Sequence, residues 1–229
     1  MGLLAFEVGI IVDMVKDLPR PYDALSFGHP DILATPGELV PFLGTVLSPD
    51  NAGVIESRLG SPSGDIVGAA RGVFSAVGAK LTVVDKRKVY GVDAVVDLNE
   101  PLPESYKRKY GLVIDPGTTE HCFNVAQALK NAAEAVSVGG YIYHMVPMAS
   151  WNHGYWNFSP IAFMEFYSEE NGFRVLRIEA ALKRKNLTPV DTKLKFEIPN
   201  GGRNVLLMCC VQRIREVEVT YPGMQGKYQ

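Results

Sequence analysis

Apolar positions along the chain switch between helical spacing and short continuous runs. Leu3, Leu4, Ile10, Ile11 and Met14 fall near helical spacing. They predict an N-terminal amphipathic helix over about residues 2–17, stopped by Pro19 and Pro21. Apolar and β-branched runs then predict seven strands: YDALSF (22–27), KLTVVD (80–85), DAVVD (93–97), YGLVID (110–115), YIYHMV (141–146), GFRVLRIEA (172–180) and NVLLMCCVQR (204–213). Helical spacing returns over 65–77, 123–136 and, opened by Ser159-Pro160, to about Tyr167. Residues 29–64 are rich in Gly, Pro, Ser and Asp and read as an irregular insertion, with a short helix near 37–47.

Continuous apolar strands alternating with helices predict one α/β domain over residues 1–229. Its sheet is mostly parallel, with helices on both faces. The last two strands have no helix signal between them and are expected to pair as an antiparallel hairpin, joined by a long loop. Pro147 closes the fifth strand in this reading, and Gly139-Gly140 turns the chain into it.

Composition narrows the function classes. Hydrophobic residues are 47% and charged residues 21%, which is ordinary globular usage. A net charge of -2 provides no broad positive field, so a nucleic-acid partner is not expected. Glu7, Asp13, Lys16 and Asp17 interrupt the N-terminal apolar stretch, and no membrane span is expected. Cys122, Cys209 and Cys210 form no disulfide framework, and two of them are adjacent. A reducing compartment, the cytoplasm, follows from that reading.

In open α/β sheets ligands bind outside the carboxyl ends of the strands. Those ends carry Gly28, Asp85, Asp97 with Leu98, Asp115 with Gly117, and the segment 145–151. A carboxylate at Asp85 can accept both hydroxyls of a ribose. Asp97 can accept an exocyclic amine, and Leu98 can pack on an adenine face. Either aspartate alone reads equally as a solvated turn residue; the two at neighbouring strand ends favour an adenosine site.

The run Asp97-Leu98-Asn99-Glu100-Pro101-Leu102-Pro103, then YGLVID ending at Asp115, then Gly117-Thr118-Thr119-Glu120-His121, then Gly139-Gly140-Tyr141 with Pro147, resembles the class I S-adenosylmethionine-dependent methyltransferases. The resemblance covers about residues 80–180. It implies a Rossmann-like seven-stranded sheet and S-adenosylmethionine as cofactor, with S-adenosylhomocysteine as product. Asp85 would hold the ribose, Asp97 and Leu98 the adenine, and the backbone around Asp115 and Gly117 would face the methionine part. One departure stands out: the first strand is followed by Gly28-His29-Pro30-Asp31, with a single glycine where that family has two or three. Residues 60–64 offer an alternative seat for the cofactor carboxylate. The same departure leaves open a non-catalytic partner or regulatory domain on this fold. A nicotinamide enzyme would need GxGxxG after the first strand, which is missing.

Methyl transfer to oxygen or nitrogen needs alignment and a proton acceptor. His121 and Glu120 follow the fourth strand, and His153 lies in the loop after the fifth. His121 reads equally as a helix-start residue. Glu120 and His121 are too few ligands to assign a metal. Trp151, Asn152, Tyr155 and Trp156 combine aromatic planes with an amide, which suits a sugar ring or flat metabolite. The basic run 183–185 could meet a substrate phosphate, as in a nucleotide-linked sugar, although a solvated face is the default. The acceptor expected is therefore a small polar molecule.

Overall fold

The computed structural model describes residues 2–43, 68–89, 91–182, 186–190 and 204–226. In chain order the elements begin with β1 (Gly2–Leu3), α1 (Ala5–Val15), β2 (Tyr22–Phe27), β3 (Asp31–Ile32), α2 (Pro36–Leu43), β4 (Gly68–Ala69), α3 (Ala70–Ala76), β5 (Ala79–Asp85) and β6 (Ala94–Val95). They continue with β7 (Tyr110–Asp115), α4 (Val125–Ala135), β8 (Val136–Ala149), α5 (Pro160–Phe166), β9 (Phe173–Leu182), β10 (Asn186–Pro189) and β11 (Val205–Arg213). Short 3-10 turns at Glu104–Tyr106 and Thr119–His121 precede β7 and α4 respectively.

Among the described residues, eight strands form the main sheet in the order β10-β9-β11-β8-β7-β2-β5-β6. β2, β5, β6, β7 and β8 run parallel. β11 is antiparallel to both β8 and β9, and β10 is antiparallel to β9. From β2 the chain builds outward to β5 and β6, then crosses back to place β7 on the other side of β2. That reversal opens a crevice at the carboxyl ends of β2 and β7, where this class of sheet binds ligands.

Alternation along the strands divides the core into two layers. Ala24, Leu112, Ile114, Tyr143 and Met145 pack against Val8, Ile11, Val12 and Val15 of α1 and against Leu39 and Phe74 of α2 and α3. Leu25, Phe27, Val113, Ile142 and Val146 pack against Ala128, Leu129 and Ala132 of α4 and Phe163 and Phe166 of α5. Each fully buried aliphatic or aromatic side chain in these layers contributes about 1.5–3 kcal/mol relative to exposure.

Several elements differ from expectation. The N-terminal helix begins at Ala5, because Gly2 and Leu3 pair instead with Asp31 and Ile32 in a small sheet completed by β4. The expected helix near 37–47 is α2, over 36–43, inside the stretch read as irregular. The helix expected over 65–77 is α3, and it starts only at Ala70 because residues 68–69 join β3.

β8 spans 136–149, much longer than expected. Gly139-Gly140 does not turn the chain into the strand but lies within it. A Cβ on Gly140 would stand 2.9 Å from the Gly111 carbonyl oxygen, so glycine admits the neighbouring strand there. Pro147 is accommodated where the β11 pairing shifts register between Val205 and Leu206. The expected hairpin pairs β9 with β11, but β11 inserts between β8 and β9, and β10 adds an eighth strand at the edge. Residues 44–67 and the basic run 183–185 lie outside the described residues, and with them the 60–64 segment. No described helix is long and apolar enough to cross a membrane.

Candidate active site

Asp115 ends β7 directly opposite His144 on β8. Both side chains are fully buried. Asp115 Oδ1 accepts the backbone N–H groups of Thr118 at 2.9 Å and Thr119 at 3.2 Å. Its Oδ2 accepts the Thr119 hydroxyl at 2.6 Å and lies 2.8 Å from His144 Nδ1. His144 Nε2 lies 2.7 Å from the Tyr167 hydroxyl. A carboxylate can only accept, so Nδ1 carries the proton, and a neutral His144 then accepts from Tyr167 at Nε2. Burial works against the Asp115 charge, but His144, Thr119 and Thr118 outweigh it and hold the carboxyl below its ordinary value. Burial pushes the Tyr167 hydroxyl well above its usual range, which keeps its proton in place for this bond. The Asp115 side chain therefore shapes the turn after β7, and what remains to meet a ligand is the backbone beyond it. Gly117 there sits at φ +98°, and Thr118 donates its hydroxyl to the Phe27 carbonyl, joining the ends of β7 and β2.

That turn carries Glu120 and His121. Glu120 is 1% exposed. Its Oε1 lies 3.4 Å from His153 Nε2 and 3.8 Å from His121 Nε2. Its Oε2 is buried without a hydrogen-bond partner among the described residues. Burial first, and the Asp115 charge second, push this carboxyl up to about 8. Burial and the neighbouring His153 lower the His121 imidazole, favouring its neutral form. The two histidine rings meet edge to face, with centroids 5.4 Å apart.

His153 arrives from the loop after β8, and the local sequence explains its docking. Gly154 has φ +70°, and a Cβ there would stand 2.7 Å from Glu120 Cγ and 2.8 Å from its carbonyl oxygen. The Tyr155 N–H donates to the Glu120 carbonyl at 2.8 Å, and Trp156 Nε1 donates to the Cys122 carbonyl at 3.0 Å. Asn157 Oδ1 accepts the Ser150 N–H at 2.7 Å and ties the two loop ends together. Trp151 is 89% exposed, and Tyr155 and Trp156 are also exposed. Asn152 adopts a positive φ at the loop tip.

Phe123 is a member of this surface that the sequence reading placed at the start of a helix. It precedes α4, whose first residue is Val125, and is largely exposed. Its ring meets Tyr155 edge to face at 5.5 Å and Trp156 at 6.1 Å. Its place directly before Asn124, a cap-type residue, was the available signal.

The other strand ends line up along β2, β5 and β6. Gly28 is buried at φ +76°, and its N–H donates to the Val84 carbonyl at 2.7 Å. Asp85 Oδ1 accepts the Arg87 N–H at 2.9 Å. Asp97 pairs with Lys86 Nζ at 2.7 Å, and that contact, with Asn99, lowers its carboxyl to about 2. Lys86 was not singled out in the sequence, although it directly follows Asp85. The Leu98 side chain is buried in the core beneath α4. Asn131 of α4 holds this loop, donating to the Leu98 and Glu100 carbonyls and accepting the Leu102 N–H. His29 turns toward the β5–β6 connection, where a Cβ on Gly91 would stand 2.3 Å from its ring. A depression of about 650 Å³ lined by Arg71, Lys80 and Asp93 lies beside the amino half of β5, and none of the strand-end residues named above lines it.

No protein-family model matches the chain, and no curated protein sequence matches it. Solved structures do. A candidate sarcosine dimethylglycine methyltransferase from Galdieria sulphuraria aligns over 91% of this chain and 84% of its own, with a TM-score of 0.52 and 10% identity. TehB from Haemophilus influenzae aligns over 90% of this chain and 62% of its own, with a TM-score of 0.50 and 13% identity. The 1,6-didemethyltoxoflavin-N1-methyltransferase of Burkholderia thailandensis, solved with bound 1,6-didemethyltoxoflavin and S-adenosylhomocysteine, aligns over 91% of this chain and 77% of its own, with a TM-score of 0.48 and 12% identity. With its pivot at β2, two helical layers and antiparallel final strands, the chain has the Rossmann-like fold of the class I methyltransferases.

Proposed function

We propose that this protein is an S-adenosylmethionine-dependent methyltransferase acting on an oxygen or nitrogen of a small polar metabolite, in the cytoplasm. The observation that carries the reading is the meeting of Glu120, His121 and His153 beside the β7 end, on the same edge as Asp85 and Asp97. The bound cofactor supplies an electrophilic methyl group on a sulfonium. Asp85 has one oxygen fixed by Arg87 and a second without a partner among the described residues, which suits a ribose diol. Asp97, charged and held by Lys86 and Asn99, can accept an adenine amine. Because Leu98 is covered, an adenine face would have to rest on the backbone of that loop. Positive φ at Gly28 and Gly117 lets the two strand ends turn tightly around the crevice.

On the acceptor side, Trp151, Asn152, Tyr155 and Trp156, with Phe123, offer aromatic planes and an amide to a ring. A sugar or nucleotide-linked sugar is the acceptor this wall fits. His121 and His153 are each about half exposed at the mouth of the cluster and can take the acceptor proton.

Calorimetric titration with S-adenosylmethionine and S-adenosylhomocysteine tests the reading. Micromolar affinity, reduced at least tenfold in Asp85→Ala, is expected. A second reading, a non-catalytic domain on this fold, is favoured by one observation: His29 fills the space over Gly91, beside the single-glycine loop. Well-folded protein that binds neither compound would establish that reading in place of the first.

A further inference from the structure

Glu120, His121 and His153 each present one ligand atom, and all three atoms lie within 4.8 Å of one another. The Glu120 carboxyl is buried and aimed at both imidazoles, and one of its oxygens has no partner among the described residues. Unpaired buried carboxylate oxygens are costly and call for a missing partner. Neither histidine supplies it: their nearest approach is to the other oxygen, at 3.4 and 3.8 Å. For a metal bound at 2.0–2.1 Å in tetrahedral geometry, neighbouring ligand atoms stand about 3.4 Å apart. The two separations from Glu120 Oε1, 3.4 and 3.8 Å, stand near that value, the third pair lies within 4.8 Å, and an ion held by both carboxyl oxygens would also give Oε2 its partner.

We propose that Glu120, His121 and His153 form a binding site for a divalent transition-metal ion. Two imidazole nitrogens and one carboxylate suit zinc, manganese, iron or cobalt, whereas magnesium and calcium favour all-oxygen sets. Three protein ligands leave further coordination positions open. Water fills them until oxygen atoms of a ligand displace it. The site is built rather than incidental. Asp115 fixes the turn that carries Glu120 and His121, and Gly154 with the Tyr155 N–H docks the loop that carries His153. If the methyl-transfer reading also holds, the ion occupies the imidazole nitrogens that would otherwise take the acceptor proton, and the ion in their place would lower the pKa of the acceptor hydroxyl. That consequence rests on the proposed function; the ion site itself does not.

The test is calorimetry on chelator-stripped, full-length protein without cofactor or acceptor, titrated separately with zinc, manganese and magnesium salts. One zinc or manganese ion per chain is expected, bound at least 30-fold more tightly than magnesium. Glu120→Gln and His153→Ala should each weaken it at least 30-fold. His153 is half exposed, so His153→Ala keeps the question answerable if Glu120→Gln fails to fold. Visible absorption of added cobalt should show nitrogen ligation that changes in His153→Ala. Absent binding, binding no tighter than magnesium, or binding unchanged in folded His153→Ala would each overturn the site. S-adenosylhomocysteine titrated in parallel separates the two readings. Metal without cofactor binding upholds the ion site and removes the methyl-transfer reading; cofactor without metal binding does the reverse.

Discussion

Replacing Asp115 by Asn changes one atom in a carboxylate that four donors address: the Thr118 and Thr119 N–H groups, the Thr119 hydroxyl and the His144 ring. The amide keeps the shape and loses the charge. Its nitrogen must face either the two backbone N–H groups or the His144–Thr119 side. Backbone donors cannot rotate away, so the nitrogen would take the second position. The Thr119 hydroxyl can then turn, and His144 can move its proton to Nε2. That proton would point at Tyr167, whose own O–H then loses its acceptor inside the core. A charge-assisted bond exceeds a neutral one by about 1 kcal/mol, and an orphaned buried hydroxyl costs about 1–3 kcal/mol. The sum over the two remaining backbone bonds and the orphaned hydroxyl is about 3–5 kcal/mol.

Urea unfolding followed by circular dichroism should show that loss as a lower midpoint at unchanged slope. Tyr167→Phe alone should cost about 1–2 kcal/mol by leaving Nε2 without a donor. In the Asp115→Asn background it should cost less, because the hydroxyl is already compromised. A loss under about 1 kcal/mol for Asp115→Asn, or strict additivity of the two changes, would refute the proton order assigned to this network.

The same carboxyl predicts acid behaviour. Its folded pKa lies below the unfolded value of about 3.9, so its stabilisation is complete above that pH and disappears as pH falls through the folded value. Wild-type stability should drop below about pH 4 more steeply than that of Asp115→Asn, measured by urea midpoints across pH. Gly154→Ala would place a methyl group 2.7 Å from Glu120 Cγ at a positive φ, a strain of about 1–3 kcal/mol. It should lift the 151–157 loop and weaken ion binding without removing a ligand; Trp156 fluorescence and zinc calorimetry would report both. Burial pushes the Cys122 and Cys210 thiols up to about 12 and raises Cys209 well above its usual range. Native protein should resist iodoacetamide at neutral pH, with labelling by mass spectrometry appearing only in urea.

Much of this architecture was legible in local pattern. β2 and β7 match the runs YDALSF and YGLVID, because continuous apolar strands bounded by Asp, Gly and Pro have few other readings. The strand-end acids Asp85, Asp97 and Asp115 follow from the same boundaries. His144 could be placed in the core from its strand, since Ile142 and Val146, which share its face, are apolar. Periodicity also put Leu98 beside Asp97 but could not tell that its side chain turns into the core under α4. Pairing partners were equally hidden: β1 with β3, β10 at the edge, and β11 between β8 and β9 are non-local choices made by backbone groups, which look alike at every residue.

The site divides the same way. Residue type and position named Glu120, His121 and His153 as chemically able groups, because a carboxyl and two imidazoles in loops at the carboxyl ends of strands can move protons where ligands bind. Their convergence was decided only in three dimensions. His153 is more than thirty residues from Glu120 in the sequence. A glycine, one backbone hydrogen bond and an indole N–H seat its loop against the turn. Burial then strips water from Glu120, and that desolvation, which depends on every element packed around it, gives the carboxyl its altered character. A linear sequence states which groups exist; how near they stand and how dry they are is set by packing.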